Sequence, residues 1–170
     1  MTDRRLQVLV LCTGNSARSI LAEVLINELG KGRIVAFSAG SHPTGKVNPA
    51  ALAKLERAGH GTSGLQSKSW DRFSGSDAPT IDIVITVCDN AAGETCPVWN
   101  GSPVTAHWGI PDPAQAVGEE LEAAFDIAYD RLRTRIEMML EVPLANFDAR
   151  MQKDALQRIH DSVQAMEAMQ

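Results

Sequence analysis

The chain alternates short apolar runs with longer amphipathic stretches. The first run, LQVLVLC at residues 6–12, has almost no polar alternation, which is typical of a strand buried on both faces of a parallel sheet. Shorter runs at residues 33–37 (RIVAF), 81–87 (IDIVITV) and 103–108 (PVTAHW) follow it. The pattern therefore predicts four strands.

Three amphipathic segments at residues 16–30, 48–59 and 118–140 carry apolar side chains at helical spacing and predict helices. We expect the first to end at Gly30, because glycine commonly terminates helices. Asn48 is suited to cap the second. Strands that alternate with helices predict an α/β fold: a three-layer, doubly wound, four-stranded parallel sheet with right-handed crossovers.

One more helical pattern follows this alternating region. Its apolar residues recur every four positions, at Phe147, Met151, Ala155, Ile159 and Val163. We therefore divide the chain into a main domain at residues 1–142 and a C-terminal helical extension at residues 143–170. The extension is expected to pack on the main domain, and a dimer contact is the alternative.

Composition and charge narrow the class of protein. The chain has 170 residues, of which 44% are hydrophobic, which is enough for one globular domain with a core. No apolar run reaches the roughly 20 residues that cross a bilayer, and the start MTDRRLQ lacks the apolar region of a signal peptide. We expect a cytoplasmic protein without a membrane partner. A net charge of −5 gives no general attraction to nucleic acid, so any anion site must be local.

The cysteines are the first candidates for chemistry. Cys12, Cys88 and Cys96 are the three in the chain, and cytoplasmic cysteines are more often catalytic or redox-active than structural. The cysteines and the four histidines show no paired spacing that is typical of metal ligands. We therefore expect neither a metal nor a cofactor.

The turn CTGNSAR, residues 12–18, joins the first strand to the first helix. The backbone N–H groups of such a turn converge at the positive end of a helix and favour an anion. Arg18 would clamp a tetrahedral oxyanion, and Cys12 would attack its central atom as a thiolate that the same groups stabilise. Ser19 could donate to that sulfur or simply cap the helix, and Cys12 could instead be a buried strand-end thiol. The predicted oxyanion-binding residues are Thr13, Gly14, Asn15, Ser16, Ala17 and Arg18.

A family resemblance supports the nucleophile. Cys-x5-Arg with a following serine, directly after the first strand, resembles the low-molecular-weight protein tyrosine phosphatase superfamily, and CTGNSARS resembles its thioredoxin-linked arsenate reductase branch. Three more segments match in order and spacing: FSAG at 37–40, NPAA at 48–51 and HWGIPDP at 107–113. The resemblance covers about residues 6–140 and implies a phosphatase-like catalytic domain.

The resemblance implies a thiol relay. Cys12 would attack arsenate, Cys88 would then attack Cys12 and release arsenite, and Cys96 would attack Cys88, with residues 89–93 as a flexible segment. Thioredoxin, or glutaredoxin with glutathione, would then reduce the disulfide. Asp112 resembles the general acid that protonates the leaving oxygen; a turn residue before proline is the alternative.

Two other functions stay open. One is a low-molecular-weight phosphatase that forms a Cys12 phosphoenzyme, and the other is a noncatalytic module that binds anions. Ala114 favours the reductase, because the phosphatases usually place an aromatic residue directly after the Asp-Pro pair.

A monovalent-cation site occurs in some of the reductases that the chain resembles. Asn15, Glu23 and Ser38 match three of its ligands, but the stretch SKSWD at residues 67–71 offers Trp70 near the place of the fourth, an aspartate. We therefore expect no potassium site.

Overall fold

A parallel sheet forms the centre of the protein in the computed structural model, which describes residues 5–94 and 96–169. All neighbouring strands pair in parallel, in the order β2-β1-β3-β4. The strands are β1 (Leu6–Leu11), β2 (Ile34–Ala39), β3 (Ile83–Thr86) and β4 (Val104–His107). The predicted four-stranded, doubly wound parallel sheet is confirmed.

The four predicted helices all form, most with shifted ends: α1 (Arg18–Gly30), α2 (Pro49–Arg57), α4 (Glu120–Glu141) and α5 (Ala149–Ala168). A short helix that the sequence did not predict, α3 (Asp89–Gly93), lies between β3 and β4. The Asn48 side chain caps α2 by accepting from Ala50 N at 2.8 Å. Helix α1 ends at Gly30, as predicted, and the residue after it, Lys31, takes the left-handed conformation, with φ of 48°. Within the described residues, no helix is both long and apolar enough to span a bilayer.

Two apolar clusters cover the two faces of the sheet. Val8 and Val10 face the larger cluster, to which all the long helices contribute. Leu9 and Leu11 face the smaller one, where Phe73 of a short 3-10 helix (Trp70–Phe73) and Trp99 pack. Both faces of β1 are thus buried, which explains its uninterrupted apolar run.

Helix α5 packs on α4 and β4 through Leu156, Ile159 and Val163. Trp108, just beyond β4, donates from Nε1 to Leu156 O at 2.9 Å. The packing role expected of the C-terminal helix is therefore observed. The division of the chain after residue 142 stays a prediction.

Candidate active site

The two central strands bring two cysteines together. Leu11 of β1 pairs with Thr86 of β3, so Cys12 and Cys88 both lie just beyond the carboxyl ends of adjacent strands, where α/β sheets bind ligands. Thr13 N donates to Cys88 Sγ at 3.4 Å, and Thr13 Oγ1 lies 3.6 Å from the same sulfur. Cys88 therefore lies at the entrance of the nucleophile loop, which comprises residues 12–18.

Three carbonyl groups of the nucleophile loop accept hydrogen bonds from the segment that follows β2. Those of Thr13, Gly14 and Ser16 accept hydrogen bonds from the backbone N–H groups of His42, Thr44 and Asn48. The amides of residues 14–18 donate to no acceptor within residues 5–94 and 96–169. Those amides are therefore available to an anion. Thr13, which the sequence analysis also included in the anion site, instead donates its amide hydrogen to Cys88 Sγ.

Asn15 keeps the loop in shape. Its φ of 45° is left-handed, a conformation that asparagine tolerates better than most residues. Its side chain accepts from Lys68 N at 2.9 Å and donates to Ser19 Oγ at 2.8 Å. The fully buried Ser19 is thus a partner of Asn15, where the sequence suggested a donor to Cys12 or a helix cap.

Gly40, the glycine of the FSAG segment, lets the end of β2 approach the loop. A Cβ atom at this position would lie 2.4 Å from Thr13 O and 2.8 Å from Cys12 O, which is closer than van der Waals contact permits. Any side chain at position 40 would clash with the nucleophile loop, which explains the glycine of the FSAG segment.

Arg18 extends from the start of α1 toward the loop that follows β4. Its Nη1 donates to Ile110 O at 2.7 Å, and its Nη2 lies 3.8 Å from Asp112 Oδ2. Its Nε is buried and has no partner among the described residues. A buried donor without an acceptor is rare in proteins, and an oxyanion in the loop would supply the acceptor.

Asp112 shares a cleft with Arg18. Its Oδ1 caps the short 3-10 helix Pro113–Gln115 by accepting from Ala114 N at 3.0 Å, while Oδ2 faces Arg18. The cleft has a volume of about 690 Å³ and is also lined by Cys88, His107 and residues of α5. Helix α5 therefore forms one wall of the candidate site.

Cys12 and Cys88 behave as one coupled pair. Hydrogen bonds from Cys12 and Thr13 and from the Ala91 amide lower the pKa of Cys88 to about 5, although burial opposes this. The hydrogen bond to Cys88 and burial raise the pKa of Cys12, and Arg18 only partly opposes them. The sequence predicted a charged Cys12, but in this conformation the negative charge lies on Cys88, because Cys88 receives more donors.

Cys96 is held apart from this pair. All three cysteines are free, and Cys96 is exposed. The segment after Cys88, expected to be flexible, forms the short helix α3. Asp89 Oδ1 of α3 lies 2.8 Å from His107 Nε2, and His107 Nδ1 lies 2.7 Å from Thr86 Oγ1.

A lysine lies where the resemblance suggested a monovalent cation. Lys68 Nζ is 3.5 Å from Glu23 Oε1 and 3.5 Å from Ser38 Oγ, and Ser38 Oγ donates to the same Glu23 oxygen. Among the residues that the structure describes, no group of three or more His, Cys, Asp and Glu side chains could hold a metal ion.

Sequence reasoning missed three contacts of the site. They are Lys68 with Glu23, Asp89 with His107, and Glu94 with the nucleophile loop. The partners are between 18 and 81 positions apart, so no local pattern could pair them. The only hint in the sequence was the location of Asp89 and Glu94 between Cys88 and Cys96, which places them near the predicted site.

Comparisons with known proteins agree with this geometry. The family model described as low molecular weight phosphotyrosine protein phosphatase matches residues 7–156. An arsenate reductase of Halalkalibacterium halodurans is 35% identical over 133 residues, which cover 77% of this chain and 92% of the relative. A glutaredoxin arsenate reductase of Synechocystis is 30% identical and covers 79% and 95%. The solved structure of an arsenate reductase in the phosphate binding state is 28% identical, with a TM-score of 0.60 and coverage of 78% and 97%.

Proposed function

The chain belongs to the low molecular weight phosphotyrosine protein phosphatase family, and we propose that within it the protein is an arsenate reductase that works through a relay of three cysteines. One observation carries the proposal: the pairing of β1 with β3 places a second thiol, Cys88, beside the nucleophile loop, where Thr13 N donates a hydrogen bond to its sulfur. A phosphatase hydrolyses its covalent intermediate with water and needs no second thiol. The names of the relatives described above support the same activity.

Arsenate would bind in the nucleophile loop. The free amides of residues 14–18 and the unpartnered Nε of Arg18 supply donors in the number that a tetrahedral oxyanion can accept. The structure of a relative in the phosphate binding state supports an oxyanion of this shape. Arg18 would be held in place by its bond to Ile110 O.

In the first step Cys12 attacks arsenic and one As–O bond breaks. The Cys12 proton passes to the Cys88 thiolate, and the leaving OH group takes a proton from solvent that Asp112 is placed to relay beside Arg18. The sum is Cys12–SH + Cys88–S⁻ + HAsO4²⁻ + H⁺ → Cys12–S–AsO3²⁻ + Cys88–SH + H2O. The products are a thiol–arsenate adduct and water.

In the second step Cys88 attacks the Cys12 sulfur. The S–As bond breaks, its two electrons stay on arsenic, and As(V) becomes As(III) while the Cys12–Cys88 disulfide forms. The released arsenite takes its remaining protons from Cys88 and water. The contact of Cys88 with Thr13 keeps the attacking sulfur next to the loop until this moment.

In the third step Cys96 attacks Cys88 and frees Cys12. The Cys88–Cys96 disulfide would then be reduced by a dithiol protein such as thioredoxin, or by glutaredoxin with glutathione. A relative named as a glutaredoxin arsenate reductase supports a donor of this general class. We place the protein in the cytoplasm, because the relay needs a reducing compartment.

The decisive assay measures arsenite formed from arsenate with thioredoxin, thioredoxin reductase and NADPH, and in parallel with glutaredoxin and glutathione. We expect Cys88→Ser and Cys96→Ser each to abolish arsenate turnover while slow hydrolysis of an aryl phosphate continues, because that hydrolysis needs only Cys12, Arg18 and Asp112. Cys12→Ser is expected to abolish both activities.

Full arsenate turnover in both variants would disprove the relay. Rapid aryl phosphate hydrolysis without any arsenite, with either donor, would favour the phosphatase instead. Loss of both activities in the wild-type protein would leave the noncatalytic module as the function.

A further inference from the structure

Glu94 connects the segment that carries Cys96 to the nucleophile loop. It lies directly after α3, and its Oε1 accepts a hydrogen bond from Thr13 Oγ1 at 3.2 Å. Its Oε2 lies 3.6 Å from His42 Nδ1, and His42 N in turn donates to Thr13 O. Both carboxylate oxygens therefore contact groups at the entrance of the loop.

The same residue holds Cys96. The Cys96 thiol donates to the backbone oxygen of Glu94 at 3.7 Å. Burial and the neighbouring Glu94 carboxylate raise the pKa of Cys96, so the thiol stays protonated and is a weak nucleophile. In this conformation Cys96 is both anchored and unreactive.

The relay requires this arrangement to change. A disulfide needs Cα atoms about 4.4–6.8 Å apart, and Cys88 and Cys96 are separated along the chain by α3, whose five residues alone extend over roughly 7.5 Å. Pairing of the two cysteines therefore requires α3 to unwind or shift, and the contacts of Glu94 with Thr13 and His42 hold the residue that follows α3 in place. Some event must release Glu94 at the right time.

The negative charge of the substrate can supply that event. An oxyanion in the loop would lie close to Thr13, whose hydroxyl binds the Glu94 carboxylate. Like charges at short distance inside a partly buried site repel each other by far more than in water, and the Glu94 side chain is only 24% exposed. Oxyanion binding and the Glu94 contact therefore oppose each other.

We infer that Glu94 is a positioning residue that holds Cys96 away from Cys88 until an oxyanion occupies the nucleophile loop and displaces its carboxylate. The inference rests on the proposed function, and it adds an order to the relay: Cys96 becomes available only after substrate has bound.

Phosphate tests the inference, because it has the shape of arsenate and cannot be reduced by thiols. The rate at which iodoacetamide alkylates Cys96 is measured by mass spectrometry with and without phosphate. We expect phosphate to accelerate alkylation in the wild-type protein by at least about fivefold, a typical coupling between two sites. Glu94→Gln should react at the fast rate in both conditions, and Glu141→Gln, at an exposed position of α4, should behave as wild type.

Phosphate affinity gives a second readout that a purely structural role would not change. Since phosphate and the Glu94 carboxylate oppose each other in the wild-type protein, Glu94→Gln should bind phosphate more tightly than wild type, with a lower Kd. Thermal shift against phosphate concentration measures that affinity.

The possible failures are distinguishable. If phosphate stabilises the wild-type protein but leaves Cys96 alkylation unchanged, the inference is wrong and the proposed function stands. If phosphate does not bind at all, the anion site and the proposed function fail, and the role of Glu94 fails with them.

Discussion

At the scale of single residues, the distribution of negative charge between Cys12 and Cys88 depends on which groups donate hydrogen bonds to each sulfur. Cys88 is charged because Cys12 and Thr13 direct hydrogen bonds to its sulfur, while Cys12 keeps its proton. For Cys12 to become a thiolate, its proton has to pass to Cys88, which lies next to it at the ends of the two central strands. This suits a mechanism in which Cys12 attacks first and Cys88 second.

Substitutions of Cys12 test this assignment. Since the Cys12 hydrogen bond is the largest cause of the pKa of about 5 at Cys88, Cys12→Ala should move the pH midpoint of Cys88 alkylation upward, toward the ordinary thiol value near 8.5. Cys12→Ser retains a hydroxyl donor and should stay closer to 5. The two pH profiles of Cys88 alkylation give the comparison, and equal midpoints in the Ala and Ser variants would contradict it.

At the scale of elements, α5 is tied to α4 by a buried ion pair as well as by apolar contacts. Arg135 of α4 is 1% exposed and binds Glu167 of α5 through two hydrogen bonds of 2.8 and 2.9 Å. Its Nε also donates to His160 Nδ1 at 3.1 Å. His160 lines the cleft, so this pair positions the α5 wall of the candidate site.

Removal of Glu167 should be costly because it leaves Arg135 charged, buried and without its partner. We expect Glu167→Ala to lower the free energy of unfolding by about 3 kcal/mol, the lower end for a broken buried pair. The double variant Arg135→Met/Glu167→Leu should be less destabilised than Glu167→Ala, since no unpaired charge remains. Urea denaturation measures both, and a double variant as unstable as the single one would disprove this account.

His160 of α5 makes the free energy of unfolding depend on pH. Burial, and then the Arg135 charge, lowers the pKa of His160, so below its ordinary value near 6.5 the unfolded chain binds more protons than the folded one. The stability from the neutral imidazole is complete above pH 6.5 and declines as the pH falls below it. His160→Gln should therefore lose less stability than wild type between pH 7 and pH 5, as urea midpoints at each pH would report. A parallel decline in both proteins would exclude His160 as the cause.

At the scale of the whole molecule, the proposed relay requires three sulfurs to meet in order, whereas the structure brings Cys12 and Cys88 together and leaves Cys96 exposed. Cys12 and Cys88 meet because β1 and β3 are neighbours in the sheet. Cys96 lies beyond α3 and is tied to Glu94. Turnover through the proposed relay would therefore require Cys96 to move toward Cys88.

Trapping of disulfides checks the order. After one turnover with arsenate and no donor, mass spectrometry of the wild-type protein should find the Cys88–Cys96 disulfide, because Cys96 resolves the first bond. Cys96→Ser should instead accumulate Cys12–Cys88. A Cys12–Cys96 disulfide in the wild-type protein would contradict the proposed sequence of attacks.

The sequence by itself determined the elements and the identity of the reactive groups. Apolar runs predicted β1 to β4, and Cys-x5-Arg after β1 identified the nucleophile loop, because both signals are local. The Asn48 cap is of the same kind. The short helix α3, in a segment expected to be flexible, escaped this reasoning, and so did the steric need for Gly40, because it arises from Cys12 and Thr13.

Tertiary structure alone decided how these groups act on each other. The charge on Cys88, the Lys68 ammonium beside Glu23 and the Glu94 contact with Thr13 all join residues that lie far apart in the chain. Electrostatic and hydrogen-bond energies depend on distance and burial in space, and both quantities exist only once strands and loops have been assembled. A pattern along the chain can therefore name a nucleophile, but it cannot say which sulfur holds the charge.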